Sequence, residues 1–420
     1  MTASLPSAFR VLATLCAVYI VSQFYRSSTA VIAPDLVRDI GFSPESLGLL
    51  SGAFFLAFGL TQIPLGVMLD RFGPRRVMTG MLCFAVAGAL VFATAESPAM
   101  LTTGRALMGV GCAAVFMGSV VVCARWFPPD RLATMASIVL AVGGAGNFLS
   151  ATPLAYAADQ IGWRGAFVAM AGLTALLAGS VFLLVRDAPP GHPFHGRTHE
   201  SLGATLIGLG EVFANRRLPL LAAMSFVAYP ALATILTLWA GPYLADVHGL
   251  GGVARGNVLM LTALAMILGT LFYGPLDRRL DTRKGIVIGG ALATTAVLAA
   301  LAAATAPPLW LAVTLLTLLG FFGSYSVMVM AHGRASYPEH LVGRAVTVVN
   351  FINFIGVAVM QVATGFIVGA LSTPGGAAPE IAYRAVFGFL AATVITALIF
   401  YRRIGDAKPS GDQDRYDGHA

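Results

Sequence analysis

The stretch GVMLDRFGPRRV, residues Gly66–Val77, decides the fold, because a degenerate copy of it returns later in the same chain. The copy reads GPLDRRLDTRKG and spans Gly274–Gly285. Asp277 follows Asp70 by 207 residues, and an arginine follows each acid. Both stretches are polar and lie between long apolar runs, so we expect two short loops that join membrane-spanning helices.

A second pair of loops repeats at nearly the same distance. RWFPPDRLA begins at Arg125 and returns as RASYPEHLVGRA from Arg334, so that Pro338 follows Pro128 by 210 residues. Two independent matches at one offset are hard to obtain by chance. They predict a six-helix unit that is duplicated in the same orientation, a plan that places a binding site between two parallel halves.

The composition is that of a membrane protein. Of the 420 residues, 57% are hydrophobic and 11% are charged, whereas soluble domains carry about 25% charged residues. Apolar runs of about 20 residues are typical of transmembrane helices. The predicted spans are residues 10–34, 45–69, 77–95, 98–123, 131–157, 163–185, 218–245, 254–276, 284–305, 308–332, 342–370 and 381–402. Ser43 is expected to cap the second span, with Pro44 and Glu45 in its first turn.

The distribution of positive charge predicts the orientation. Twenty Lys and Arg residues lie in segments on the side of the N-terminus, and four lie on the other side. Because positive charge is retained in the cytoplasm, this bias predicts an even number of spans in a bacterial inner membrane, with both termini cytoplasmic. The net charge of +7 does not indicate nucleic-acid binding, since the arginines are scattered and form no basic stripe.

Four segments are expected along the chain. They are a six-helix half over residues 1–185, a cytoplasmic linker over 186–217, a second six-helix half over 218–403 and a disordered tail over 404–420. The four cysteines fall inside apolar spans without paired spacing, which indicates packing residues and no metal site. No nucleophile, base or cofactor motif suggests an enzyme, and no cofactor is expected. We also expect the protein to be a monomer in the lipid bilayer.

At its loops the sequence resembles the major facilitator superfamily. Residues Gly66–Arg76 fit that family's signature pattern between helices 2 and 3, G-x-x-x-D-R-x-G-x-R-R. RALMGVG, from Arg105, resembles its helix 4 motif, and Trp163-Arg164 resembles its entry to helix 6. The resemblance covers about residues 8–403 and implies an all-α membrane protein of twelve transmembrane helices in two parallel six-helix repeats.

The resemblance also implies a gate around the first loop and its copy. The residues it assigns to gating are Asp70, Arg71, Gly73, Arg75, Arg76, Arg105 and Asp277. An acid at a helix end beside arginines can pair with a helix N-terminus of the other half and favour one gate state. Two alternatives stay open: Arg75 and Arg76 can serve topology alone, and Arg105 can be an interfacial anchor instead of an intramembrane residue.

Arg26 is the strongest candidate for substrate contact. It lies in the first span, within VSQFYRSSTAVIAP. A buried Arg is costly in a bilayer, so it should face the bundle interior or a water-filled cavity and meet an anion there. The alternative is an Arg near the outer interface that extends its guanidinium group into water.

Other polar residues within the spans are candidates for the same cavity. They are Tyr25, Gln62, Asn147, Tyr229, Trp239, Tyr325, Asn350 and Asn353. Asn350 and Asn353 are three residues apart and share a helix face. Each of these side chains could instead hold two helices together.

The positions of the acids favour an anionic or neutral substrate. None of the nineteen Asp and Glu residues lies deep inside a predicted span, whereas exporters of organic cations often need a buried carboxylate. The Gly-Pro pair of the superfamily's antiporter motif is also missing from the fifth span. A coupling proton could enter with the anion or titrate on His332.

These patterns predict a secondary transporter of a small anionic organic solute that works by proton-coupled alternating access. A proton-antiport exporter of drug-like compounds or metal chelators is the alternative, and a transporter-like sensor without net flux is a third possibility. The substrate itself, the coupling ion and the direction of transport do not follow from the sequence.

Overall fold

The structure, a computed structural model, describes residues 5–189, 210–212, 214–215, 218–337, 341–373 and 377–410. These residues form helices joined by short loops. The helices are α1 Leu5–Ile40, α2 Pro44–Phe72, α3 Pro74–Ala93, α4 Pro98–Trp126, α5 Pro129–Gly143, α6 Ala145–Leu149, α7 Thr152–Leu184, α8 Leu218–Asp246, α9 Gly252–Leu280, α10 Lys284–Ala303, α11 Leu309–Ala335, α12 Val342–Leu371 and α13 Glu380–Tyr401.

The helices give twelve crossings of a membrane. Eleven described helices are long and apolar enough to span one, and Thr134–Leu149 forms a shorter apolar helix. Within α7 the chain reverses at Gly162, where φ is 72° and ψ is 157°, a conformation that glycine adopts without strain. Trp163 then donates a hydrogen bond to Asp39 at the far end of α1. The fifth crossing therefore comprises α5, α6 and α7 up to Gly162, and the sixth begins at Trp163, as predicted.

Local sequence signals account for helix boundaries. The Ser43 hydroxyl accepts a hydrogen bond from the Ser46 amide at 3.3 Å, and Pro44 is the first residue of α2. Ser97 caps α4 in the same way, because its hydroxyl accepts from the Met100 amide at 3.3 Å. Proline has no N–H to lose at a first helical position, so the residue after each cap is compatible with the helix start.

Two faces of the bundle are distinguished by the chain ends. We call the face at which α1 begins and α13 ends the terminal face, and the other one the opposite face. The four cations expected away from the termini lie at helix ends on the opposite face: Arg38, Arg164, Arg255 and Arg384.

The two halves touch closely near the opposite face. A Cβ atom added to Gly48 on α2 would lie 2.6 Å from the Gln361 carbonyl oxygen and 3.0 Å from the Gly365 Cα on α12. A Cβ atom on Gly256 of α9 would lie 2.7 Å from the Thr152 Cα on α7. Glycine at these positions lets backbones of opposite halves meet, so the opposite face is closed in this conformation.

Candidate functional site

A cavity lies between the two halves. The first half lines it from α1, α6 and the start of α7, and the second half lines it from α8 and α9. Three predicted residues face it: Arg26, Asn147 and Tyr229. Gln23 and Ser27 on α1 also line it, and the sequence reasoning did not assign them to the site.

Close helix packing brings α1 and α6 together at this cavity. A Cβ atom on Gly146 would lie 2.1 Å from the Ile20 carbonyl oxygen and 2.8 Å from the Gln23 Cβ. One residue further along, Asn147 Oδ1 accepts a hydrogen bond from the Ser27 hydroxyl at 2.6 Å. The glycine that permits this approach therefore also positions the polar pair beside Arg26.

The helix α8 carries an irregular turn where it meets the cavity. Residues Ile235–Trp239 form a π-helical turn, a feature that is rare and often found at functional sites. Leu236 and Thr237 in this turn line the cavity. Two residues beyond the turn, Gly241 packs against the carbonyl oxygen of Ala30 on α1, which fixes the turn close to the Arg26 helix.

The guanidinium group of Arg26 lies against a pair of contacting phenyl rings from different halves. Its Cζ atom lies 4.9 Å from the centroid of the Phe58 ring on α2 and 5.2 Å from that of Phe354 on α12. The centroids of the two rings are 4.4 Å apart. Its Nε atom is buried and has no hydrogen-bond partner. A half-buried cation with an unsatisfied N–H group facing a cavity is suited to bind an anion.

Four predicted contact residues are engaged elsewhere in this conformation, so their contact with a substrate stays a prediction. Tyr25 shares a hydrogen bond of 2.9 Å with Thr174, and Gln62 donates to the Ala113 carbonyl oxygen at 3.2 Å. Trp239 donates to Thr364 Oγ1 at 2.8 Å. These three side chains join helices within one half, the alternative that their polarity left open.

The fourth residue, Tyr325, is fully buried. A Cβ atom on Gly290 of α10 would lie 2.3 Å from its Cβ atom, so Tyr325 packs between α11 and α10. Asn350 and Asn353 are half-buried on α12, and neither belongs to the residues that line this cavity.

Arg105 lies in the core of the first half, which excludes an anchor at the interface. It is fully buried, and its Nη1 atom donates to the Tyr25 carbonyl oxygen at 2.5 Å. Its Cζ atom lies 4.7 Å from the centroid of the Phe54 ring. Since Tyr25 directly precedes Arg26, Arg105 supports the part of α1 that carries the cavity cation.

The end of the signature loop forms a hydrogen bond with an acidic side chain that the sequence reasoning missed. Asp187, which follows α7, accepts a hydrogen bond from the Arg75 amide at 2.7 Å. A Cβ atom on Gly73 would lie 2.3 Å from Asp187 Oδ2, and Gly73 has φ of 78°. The Arg75 Cζ atom lies 4.5 Å from the Phe182 ring. Gly73 thus admits the carboxylate to the N-terminus of α3, where an anion is favoured.

Asp70, Arg71 and Arg76 are exposed at the terminal face. The Arg71 Cζ atom lies 5.5 Å from the ring of Phe72. Their gating role stays a prediction, because the two halves meet at the opposite face in this conformation.

The copy of the loop in the second half is fastened in the same manner. Asp277 forms an ion pair of 3.3 Å with Arg283, and both side chains are largely buried. Asp406 accepts hydrogen bonds from the Lys284 amide at 3.0 Å and the Arg283 amide at 3.2 Å. These amides begin α10, the counterpart of α3. Asp277 is therefore paired within its own half.

Residues 404–410 correct the prediction of a disordered tail from residue 404. His332 shares hydrogen bonds with Tyr401 and with the Gly405 carbonyl oxygen, and the Ser410 amide donates to Asp281 at 2.9 Å. This segment is fixed to the terminal face because Asp406 and Asp281 offer carboxylates to N–H groups. Residues 411–420 lie outside the described part of the chain, as do 190–209 of the predicted linker.

Substitution of Asp406 by Asn should weaken the attachment of residues 404–410. Burial raises the pKa of Asp406, but hydrogen bonds from Thr282 and the α10 amides outweigh it and lower the pKa below 3.8. A lowered pKa in the folded state means stability that is present above pH 3.8 and is lost as the pH falls through the folded-state value. We expect Asp406→Asn to lose about 0.5–1 kcal/mol at pH 7, because the negative charge at the N-terminus of α10 is removed, measured by thermal unfolding in detergent.

The difference between wild type and Asp406→Asn should shrink below pH 3.8. Glu96→Gln, at an exposed loop of the opposite face, is the control and should match wild type at pH 7. Equal unfolding temperatures of Asp406→Asn and wild type at pH 7 would show that the cap contributes nothing.

The opposite face holds a cation between the halves that the sequence reasoning counted only for topology. Arg255 on α9 is buried, and its Nη2 atom donates to the Val31 carbonyl oxygen on α1 at 3.4 Å. Its Nη1 atom donates to the Leu250 carbonyl oxygen at 3.2 Å. Nearby, Thr152 donates to Asn257 Oδ1 at 2.8 Å. The bonds from Arg255 to Val31 and from Thr152 to Asn257 join the halves beside the glycine contacts and support the closed opposite face.

The fold and the cavity together define a class of protein. Two parallel six-helix halves enclose a site near the middle of the membrane, with a cation on one half, which is the plan of a secondary transporter. The sequence profile of the Major Facilitator Superfamily matches residues 15–359 and, in a second match, residues 242–417. The chain belongs to this superfamily, and the resemblance drawn from the first loop is confirmed.

Individual relatives agree with this assignment. The chain is 24% identical over 433 residues to the "Probable galactarate/D-glucarate transporter GudP" of Escherichia coli (strain K12), with 94% of each chain covered. It is 31% identical over 195 residues to the nitrate/nitrite transporter NrtP of a Picosynechococcus species, covering 39% of this chain and 36% of that protein. Among solved structures, a D-xylose-proton symporter matches with a TM-score of 0.74 and 15% identity over 96% of this chain and 98% of that one. The closer likeness to carriers of organic acids than to drug antiporters is confirmed.

Proposed function

We propose that this protein carries a small organic anion across the bacterial inner membrane by alternating access. The observation that carries the proposal is Arg26, whose buried Nε atom lacks a partner and which lines the cavity between the halves. Within the part of the chain that the structure describes, the residues lining this cavity include no acid to neutralise it. Relatives named for galactarate, D-glucarate and nitrate support a negatively charged substrate.

The closed opposite face supports the alternating part of the proposal. The terminal face carries the predicted excess of Lys and Arg, so we assign it to the cytoplasm, with both termini there. The halves are held together by Arg255 and by glycine contacts on the external side. Release of these contacts, with closure around the signature loop, would expose the same cavity to the outside.

We further propose that a proton accompanies the anion. Moving one negative charge inward against an inside-negative potential costs about 2.3 kcal/mol per 100 mV. A proton moving with the anion cancels that cost. The cavity lining contains no carboxylate among its described residues, so an acid of the lining does not carry this proton.

Flux measurements on the full chain in proteoliposomes test this function. Radiolabelled D-gluconate and hexanesulfonate are suitable probes, because each is a singly charged anion that crosses lipid slowly. We expect counterflow of at least one probe well above protein-free liposomes, and stimulation by an imposed pH gradient that a protonophore removes. Counterflow of neither probe would overturn anion transport, and flux that ignores the pH gradient would overturn proton coupling.

A further inference from the structure

The two walls of the cavity differ in chemistry, and this difference narrows the substrate class. We propose that the cavity takes a singly charged organic acid with an apolar body, such as an alkyl or aryl carboxylate, in preference to polyhydroxylated sugar acids. This inference rests on the anion transport proposed above. It separates this chain from relatives whose names specify sugar diacids.

Charge in the cavity is confined to one point. Arg26 is the one charged residue among the described residues of the lining. Gln23, one turn before it on α1, has a buried Oε1 atom without a partner. An amide oxygen accepts hydrogen bonds and cannot hold a carboxylate, so Arg26 alone can meet an anionic head group. A diacid would leave its second carboxylate without a cation in the lining.

Three of the four hydroxyl groups in the described lining, those of Ser27, Ser150 and Thr237, are already engaged within the protein, and the fourth belongs to Tyr229. Ser27 donates to Asn147 Oδ1 at 2.6 Å, and Ser150 donates to the Asn147 carbonyl oxygen at 3.0 Å. Thr237 donates to the Ala233 carbonyl oxygen and accepts from Gln361 Nε2, both at 2.8 Å. The hydroxyl groups of a sugar acid would lose water on entry and find few free partners here, which is unfavourable.

The facing wall on the second half is mainly apolar. Leu232 and Leu236 on α8 and Leu259, Ala263 and Met266 on α9 form it. A hydrocarbon chain or ring gains free energy by leaving water for such a surface. An acid whose carboxylate meets Arg26 would extend its body toward these side chains, so the body should be apolar.

Hexanoate and D-gluconate form a matched pair for the test. Both have six carbons and one carboxylate, and they differ by five hydroxyl groups. Binding to the purified full chain in detergent is measured by isothermal titration calorimetry, which avoids leakage of hexanoic acid through lipid. We expect hexanoate to bind at least 10-fold more tightly than D-gluconate, and Arg26→Gln to weaken hexanoate binding at least 10-fold.

A substitution in the apolar wall provides the second arm. Leu236→Asn places an amide in the wall and should shift the preference toward D-gluconate by at least 5-fold, whereas Leu236→Met should keep the wild-type preference. If wild type binds D-gluconate as tightly as hexanoate or more tightly, and Arg26→Gln loses this binding, the proposed preference for an apolar body is wrong. The proposed anion transport would be unaffected by that result. Failure of both acids to bind would overturn the inference, while the flux measurement decides the proposed function separately.

Discussion

Replacement of Arg26 by Gln is expected to lower the affinity for the transported anion by about 30- to 150-fold, corresponding to about 2–3 kcal/mol for a hydrogen bond between charged groups. Arg26 lines the cavity, and its buried Nε atom has no partner within the protein. The anion is therefore expected to supply the missing acceptor. Binding of a transported anion to the purified variant, measured by calorimetry, checks the prediction.

Two further variants separate charge from geometry. Arg26→Lys keeps the charge but loses the planar group that lies against Phe58 and Phe354, so its loss of affinity should be smaller than that of Arg26→Gln. Arg38→Gln on the same helix is the matched control, since the Arg38 side chain is 72% exposed and pairs with Asp35 and Asp39. A wild-type affinity in Arg26→Gln would remove Arg26 from the site.

Replacement of Gly48 by Val is expected to reduce transport to the background level. A Cβ atom at this position would lie 2.6 Å from the Gln361 carbonyl oxygen on α12. The two helices meet here through their backbones, so no side chain can move aside to make room. The two halves would have to move apart, so the opposite face could no longer close. The protein should still fold, because the added side chain lies between the halves and not inside either one.

Uptake and cysteine labelling measure the effect of Gly48→Val. In a background with Cys83, the exposed native cysteine, replaced by Ser, a cysteine introduced at Ser27 should react faster with an impermeant maleimide added from outside. Gly179→Val is the matched control, since nothing lies within 4 Å of a Cβ atom added there. Normal uptake by Gly48→Val would contradict the closed state described above.

The sequence predicted the crossings well because membrane burial imposes a strong pattern. Each span needs about 20 apolar residues, and signals such as Ser43 before Pro44 mark helix ends in local sequence. The reversal at Gly162 agrees with the predicted gap between the fifth and sixth spans. The interruptions of the fifth crossing at Gly144 and Ala151 were not predicted, although Gly143 and Gly144 stand at the first and Pro153 follows the second.

The site was harder to predict because polarity within a span shows that a side chain needs a partner but does not identify the partner. The structure places Arg26, Asn147 and Tyr229 at one cavity. By contrast, Gln62 is paired with the Ala113 carbonyl oxygen, 51 residues away. Trp239 is paired with Thr364, 125 residues away. Only the packing of distant helices decides between these outcomes.

The positions of Asp187 and Asp406 indicate that the repeated unit extends beyond its last helix. Each acid comes after the last helix of its half and caps the third helix of that same half. A copy that stopped at the end of the sixth crossing would leave the start of its third helix without this carboxylate. The segment that was duplicated must therefore have included several residues beyond its final helix, and each half inherited its own closing acid instead of borrowing one from its neighbour.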